Sequence, residues 1–269
     1  MADARSETEF LRHLAREGIP VGAPVATIAG AFWTSVALPQ GECPVVLFDY
    51  VKGRAPDQRS LADASAQGAT LARIHNAAAN FTQDTPCRYC LNLEHLLHRP
   101  LRAILALHSL SAATRAGLGE LAERLAEAVA ARGDLESTYC HGDCHGSNAH
   151  IVAEGPRAGQ AAFFDFDDGG PGYLAYDLAV FLWACVTFGR REHAKWRAFV
   201  AGYRALRPES EAALEAAHLF VPIRHIWLMG EYAARTAEWG SRSAPAEWIS
   251  SQLEFMRDWE ARTIQRGMF

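Results

Sequence analysis

The residues best suited to chemistry lie in two short runs, Tyr139-Cys-His-Gly-Asp-Cys-His-Gly-Ser-Asn-Ala-His-Ile-Val152 and Ala161-Ala-Phe-Phe-Asp-Phe-Asp-Asp168. Ala149 to Val152 and Ala161 to Phe164 read as two strands joined by the turn-rich Glu154-Gly-Pro-Arg-Ala-Gly-Gln160. In an antiparallel hairpin the start of one strand lies beside the end of the other, about 5 Å away. Asn148 and Asp165 occupy those two ends, with Asp143 on the loop just before them. An amide oxygen and a carboxylate suit a hard cation such as Mg2+, which keeps several waters for phosphate oxygens to replace. A second carboxylate, five residues before the asparagine, is placed to orient a hydroxyl and accept its proton.

Protein kinases divide labour in this way, in His-Arg-Asp-x-x-x-x-Asn followed by a metal-binding Asp. The linked motifs here are His141-Gly-Asp143-x-His145-x-x-Asn148, a strand ending in Asp165-Phe-Asp-Asp168, and Tyr176-Asp177-Leu178-Ala179. Together they resemble the aminoglycoside phosphotransferase and choline kinase family, which includes homoserine-kinase-like members. The likeness extends more weakly over Gly18-Ile-Pro-Val21 with Pro24, over Leu47-Phe-Asp-Tyr-Val-Lys-Gly53, which looks like a hinge, and over Leu71-Ala-Arg-Ile-His75.

The resemblance implies ATP and Mg2+ as cofactors and a small-molecule hydroxyl (aminoglycoside, choline, homoserine or similar) as acceptor. It makes Asp143 the catalytic base, and Asn148 with Asp165 the metal ligands. His141 and His145 would shape the loop and Asp177 would brace it, although Asp177 also reads as a plain N-cap before Leu178. Phe48, Asp49 and Tyr50 would offer backbone groups to adenine. Asp167 and Asp168 read equally well as metal or acceptor aids and as solvated turn carboxylates.

Members of the family normally begin with several further strands, carrying a phosphate-covering loop and a basic residue paired with a Glu on the next helix. Glu7 sits where that Glu belongs, and Glu9 is a second candidate. Only Arg5 precedes them as a base, while Lys52 and Lys195 are the two lysines of the chain. Three explanations stay open: a longer working enzyme, a natural short form with weak activity or a purely binding role (nucleotide or a partner), and a charge supplied by a local Arg or another chain.

The surrounding elements must hold the hairpin in place. Phe10, Leu11 and Leu14 repeat at helical spacing behind Ser6 as N-cap, and Gly18 stops that helix. Two β-rich runs follow, Ala31 to Leu38 and Val45 to Val51, with Pro39-Gln40-Gly41-Glu42 as their turn. From Ser60 the chain is mainly helical, with one stripe from Leu93 to Leu105 and another from Leu118 to Val129, broken at Gly133-Asp134. Helices resume at Asp177, with interruptions expected at Pro208, Pro222 and Pro245. The fold class is α+β and protein-kinase-like. Residues 1–52 form a reduced N-terminal lobe of a helix and about two strands, with the hinge, and residues 53–269 a large helical C-terminal lobe with the catalytic hairpin inserted. Two apolar strands (Phe32, Trp33, Val45 to Phe48) leave an open sheet edge, which self-association as a homodimer would cover.

Composition narrows the alternatives. A net charge of −5 over 269 residues, without a long basic run, gives nucleic-acid binding little electrostatic support. The most apolar stretch, Leu178 to Phe188, is far short of the ~20 residues a membrane span needs. With a polar start and six scattered cysteines, the chain reads as cytoplasmic. Cys87, Cys90, His95 and His98 have zinc-ligand chemistry, but their spacing is short for a finger and they read as ordinary thiols and helix histidines. A two-metal phosphoesterase, suggested by Asp143-Cys-His145, would need further Asp, Asn and His clusters downstream, and the only echo is Asn148-Ala-His150. Adjacent Cys–His pairs point opposite ways in an extended segment, which disfavours a thiol nucleophile. Trp227, Tyr232, Trp239 and Trp248 read as core, and Glu231 and Glu238 as solvated helix residues.

Overall fold

A computed structural model describes residues 2–39, 41–82, 84, 85, 87 and 90–264. In chain order the helices are α1 (Ala2–Arg16), α2 (Leu61–Ala78), α3 (Arg99–Leu105), α4 (Ala112–Ala130), α5 (Leu174–Val186), α6 (His193–Arg204), α7 (Glu211–Ala234), α8 (Thr236–Trp239) and α9 (Ala246–Trp259). The strands are β1 (Thr34–Leu38), β2 (Gly41–Val45), β3 (Gly53–Arg54), β4 (Ser137–Cys140), β5 (Ala149–Val152), β6 (Ala161–Phe163) and β7 (Gly170–Tyr173). They form three small sheets, β1-β2, β3-β5-β6 and β4-β7. This is the α+β plan with a large helical part that the sequence pointed to.

The centre is α5, whose thirteen residues are apolar on nearly every side; all but Ala184 are buried. A helix without a polar face has to be enclosed, and α6 and α7 enclose it, with Phe181 stacked on Phe199 at 4.0 Å and Tyr176 against Phe220 at 6.4 Å. Helix α2 starts where Ser60 accepts from Asp63 N–H at 3.1 Å. It crosses α6 closely because Gly68 has no side chain: a Cβ there would stand 2.0 Å from Phe199 O. The apolar stripe of α1 (Phe10, Leu11, Leu14) belongs to the same buried cluster as Leu71, Phe163 and Leu178. Each such side chain contributes about 1.5–3 kcal/mol of burial.

Several elements differ from the sequence reading. Helix α1 begins at Ala2, so Ser6 is not its N-cap; it is a buried helical residue whose hydroxyl meets Tyr139 Oη at 2.9 Å. The first hairpin is tighter than the four-residue turn implied. Leu38 pairs with Gly41 and Thr34 with Val45, so Gly41 and Glu42 are strand, and Val46 to Val51 run on as an extended segment. The Leu93-to-Leu105 stripe is split into a wide π-helical turn (Glu94–His98) and α3, at the point where Pro100 lacks an N–H. Pro222 lies within α7 without ending it. Its neighbours from Leu219 to Trp227 are all buried, and that packing outweighs one missing hydrogen bond. Helix α5 begins at Leu174, three residues before the expected start.

Among the described residues no helix is long and apolar enough to cross a membrane. Cys87 meets Ser6 Oγ at 3.1 Å, Cys90 is exposed, His95 is buried on the π-helical turn and His98 ends it.

Candidate active site

The hairpin register places the two expected metal ligands together. Ala149 pairs with Phe163, and Phe164 N–H donates to Asn148 O at 3.1 Å, so Asn148 and Asp165 leave the sheet at the same end. Asp143 reaches the same point from the preceding loop. Asn148 Nδ2 donates to Asp143 O and to its Oδ2, each at 3.0 Å. With the amide nitrogen spent on Asp143, Asn148 has its oxygen left for another partner.

The loop carrying Asp143 is shaped by its own sequence and by α5. Gly142 adopts φ +83°, and a Cβ there would stand 2.1 Å from Asp168 O, so the His-Gly-Asp turn needs glycine. Asp177, fully buried on α5, accepts from His141 N–H at 2.7 Å and Gly142 N–H at 2.8 Å. His75 Nε2 meets the same carboxylate at 2.9 Å while its Nδ1 meets Tyr203 Oη at 2.7 Å. Burial opposes the charge on Asp177, but the His75 bond, the nearby His75 and His141 rings and the His141 N–H hold its carboxyl below the usual range. Asp177 is the fourth residue of α5, so the N-cap alternative does not apply.

His141 is a fixed wall. Its ring stacks on Phe166 at 4.1 Å, its Nδ1 accepts from Asp143 N–H at 3.3 Å, and its Nε2 lies 3.2 Å from Phe164 O. One nitrogen accepts and the other faces a carbonyl, which defines the neutral ring with its proton on Nε2; burial likewise lowers its pKa. His145 Nδ1 accepts from Ser147 N–H at 3.1 Å, opening the short helical turn Gly146–Asn148, and its Nε2 stands 3.4 Å from Asp143 Oδ2.

Negative charge collects around the hairpin end. Asp165, at φ +69°, is exposed at its mouth; its carboxyl is pushed up by burial of its inner side, then by Asp167 and Asp143. Asp168 is pushed up to about 7 by burial and Asp167, against the pull of Arg224. From α1, Glu7 is pushed up to about 7 by burial, then by Asp167 and Asp165. Glu9, the other candidate, turns away to Arg5 at 3.2 Å and to Thr85 Oγ1 at 2.6 Å. Among the described residues no basic side chain pairs with Glu7.

The hinge segment lies beside Ala23 to Val25. Asp49 N–H donates to Ala23 O and Leu47 O accepts from Val25 N–H, both at 2.8 Å. Asp49 therefore cannot give its N–H to a base, a correction to the expected trio. Strand alternation turns the polar groups of Phe48 to the other edge, and Tyr50 is exposed.

Arg224 went unnoticed in the sequence. It is buried on α7, and its Nη2 donates to Asp143 Oδ1 while its Nη1 donates to Tyr176 Oη at 2.9 Å. The available signal was a charged residue in the apolar run Leu219-Phe-Val-Pro-Ile-Arg-His-Ile-Trp227. Nor are all the C-terminal aromatics core. Trp227 is buried, but Tyr232 and Trp239 are exposed, on the last turn of α7 and the end of α8. Glu231 is paired with Arg99 at 2.7 Å rather than simply solvated, and Glu238 is exposed.

The model of the phosphotransferase enzyme family matches residues 1–209. The chain belongs to this family. It is 37% identical over 265 residues to an uncharacterized protein of Deinococcus radiodurans, covering 97% of this chain and 75% of that one. It is 29% identical over 214 residues to a homoserine kinase of Xanthobacter autotrophicus, covering 76% of this chain and 60% of the kinase. The chain thus spans less than two thirds of the length of that relative. Among solved structures, a microcompartment-associated aminopropanol kinase superposes with TM-score 0.77 at 22% identity, covering 98% of this chain and 82% of its own. An amicoumacin kinase in complex with AMP-PNP, Ca2+ and Ami superposes with TM-score 0.74 at 18% identity, covering 96% and 77%. At these identities the likeness carries the fold. The family is one of phosphotransferases, and its neighbours here are small-molecule kinases.

Proposed function

We propose that the chain transfers the γ-phosphoryl group of ATP to a hydroxyl of a small molecule. The observation that carries this reading is the joining of Asn148 to Asp143 at 3.0 Å, at the end of the hairpin from which Asp165 also emerges. That arrangement gives one mouth a carboxylate for the acceptor and an amide oxygen plus a carboxylate for a metal.

The donor set fits a divalent cation. Burial raises the proton affinities of Glu7, Asp165 and Asp168, and repulsion from Asp167 adds to it in each case. Asn148 and Asp165 would hold Mg2+, which when bound supplies charge neutralisation to the phosphates and to these carboxylates.

The protein groups do the rest by position. Phe48 and Tyr50 offer the free edge of the hinge to adenine. Asp143 Oδ1 is fixed by Arg224 and keeps a second lone pair, while Oδ2 accepts from Asn148 Nδ2 at 3.0 Å and faces His145 Nε2 at 3.4 Å. A hydroxyl donating to Oδ1 is held facing the γ-phosphorus. The bond from γ-phosphorus to its bridging oxygen breaks as the acceptor oxygen bonds to phosphorus, and the hydroxyl proton passes to Asp143. Asp177, His141 and His145 keep the loop in this shape.

The test is ATP consumption with aminoglycosides, choline, homoserine and short amino alcohols, comparing the wild type with Asp143→Ala. Acceptor-dependent turnover lost in the variant is expected. Equal turnover in both would end the assignment of Asp143, and nucleotide binding without any turnover would favour a non-catalytic kinase-like module.

A further inference from the structure

We infer that Arg224 is a positioning residue for the phosphoryl transfer proposed above, acting through Asp143, and that it ties the catalytic loop to helix α7. The inference rests on that functional reading.

Arg224 is 3% exposed in the middle of an apolar helix, a position where a charge is expensive. Its guanidinium lies 4.2 Å over the Trp227 ring and 5.4 Å from that of Trp183, which fixes its plane. From that plane Nη2 donates to Asp143 Oδ1, and Nη1 donates to Tyr176 Oη at 2.9 Å and to Gly142 O at 3.4 Å. One side chain therefore grips the backbone and the carboxylate of the same turn. Nε has no partner.

Stability alone does not account for this placement. A buried ion pair with a donor left over is generally no better for folding than an apolar side chain of similar size, and α7 is already packed by Phe220, Val221, Ile223 and Ile226. What an apolar residue cannot do is fix the Asp143 carboxylate. Without Arg224, Oδ2 is still held by Asn148 and faced by His145 Nε2 at 3.4 Å, but Oδ1 is released and the group can turn about its Oδ2 side. A carboxylate that turns no longer keeps a hydroxyl in line with the phosphorus. The groups proposed to hold nucleotide and metal, at the hinge and at Asn148 and Asp165, are not hydrogen-bond partners of Arg224, so its loss is expected to lower turnover without weakening nucleotide binding.

The experiment is a kinetic double-mutant cycle on the full chain, with the best acceptor from the panel. Arg224→Met is expected to lower kcat about 10- to 100-fold, the range a misplaced catalytic group costs, with KM for ATP unchanged. In an Asp143→Asn background the same substitution is expected to cost nothing further, because its effect passes through Asp143. Arg224→Lys, which keeps the charge but not the fork, is expected to recover part of the loss. Tyr176→Phe removes a brace from the guanidinium and leaves the charge, and is expected to lower kcat in the same direction by less. Should Arg224→Met not fold, Tyr176→Phe decides, and an unchanged kcat in it overturns the inference. Wild-type kcat in folded Arg224→Met, or an equal loss in both backgrounds, also overturns it while the functional reading stands. A wild type that turns over no acceptor overturns both.

Discussion

Asp177 accepts the backbone N–H of Gly142 at 2.8 Å, from a helix that is buried on both sides of that residue. The same carboxylate takes the His141 N–H and His75 Nε2, so three buried donors depend on one side chain. Asp177→Ala strands all three. The expected loss is about 3–5 kcal/mol, the scale for removing one partner of a buried charged network. Urea denaturation measures it, and a loss under about 0.5 kcal/mol, typical of surface changes, would contradict the bracing role.

Gly142→Ala tests the turn itself. The added Cβ meets Asp168 O at 2.1 Å and the backbone sits at φ +83°. Either the turn or the Asp168 backbone must move, at a cost of about 1–3 kcal/mol. The urea midpoint should fall, and turnover should fall with it because Asp143 is the next residue. A variant with wild-type stability and kcat would show that the turn tolerates a side chain.

The acidic mouth predicts an unusual pH dependence. Glu7 moves from 4.5 to about 7 and Asp168 from 3.8 to about 7 in the folded chain. Their folded values are raised, so the folded state holds protons that the unfolded state has released. The stability they contribute is complete below pH ~4 and is lost as pH rises to about 7. Asp177 has the opposite sign: its value is lowered, and its contribution is present above the ordinary carboxylate range and lost in acid. Thermal melts without metal should therefore show a loss of stability between pH ~4 and ~7, and MgCl2 should raise Tm more at pH 8 than at pH 5. A Mg2+ effect equal at both values would mean that these carboxylates do not face the metal.

The first hairpin carries Val36, Leu38, Val45 and Leu47 on exposed positions. We propose that two copies of this chain meet along it, since a two-stranded sheet with apolar edges favours pairing. Light scattering after size exclusion should give a dimer, and Val36→Lys with Leu47→Lys a monomer. A wild-type monomer at tens of micromolar would remove the proposal.

How much was legible in the residues depends on how local the determinants were. The hairpin was legible because two short apolar runs, Ala149–Val152 and Ala161–Phe163, flank a glycine-rich turn, and antiparallel pairing across that turn fixes which ends meet. The β1–β2 register was not, since Pro39-Gln40-Gly41-Glu42 looks like a turn and only pairing shows Gly41 opposite Leu38. Strand β7 was missed because Gly170-Pro-Gly-Tyr173 has poor strand propensity; its pairing with β4 is what makes it a strand. Helix α7 runs through Pro222 because its burial is tertiary. Arg224, 81 positions from Asp143, becomes part of the site only when α7 folds against the loop.

The central claim is that Asn148 and Asp165 form one metal–nucleotide site beside Asp143. Titration calorimetry with AMP-PNP, with and without MgCl2, tests it without any acceptor. The wild type should bind with a clear Mg2+ dependence, and Asp165→Asn should lose about 10-fold or more in affinity together with that dependence. Equal, Mg2+-independent binding by both proteins would contradict the account.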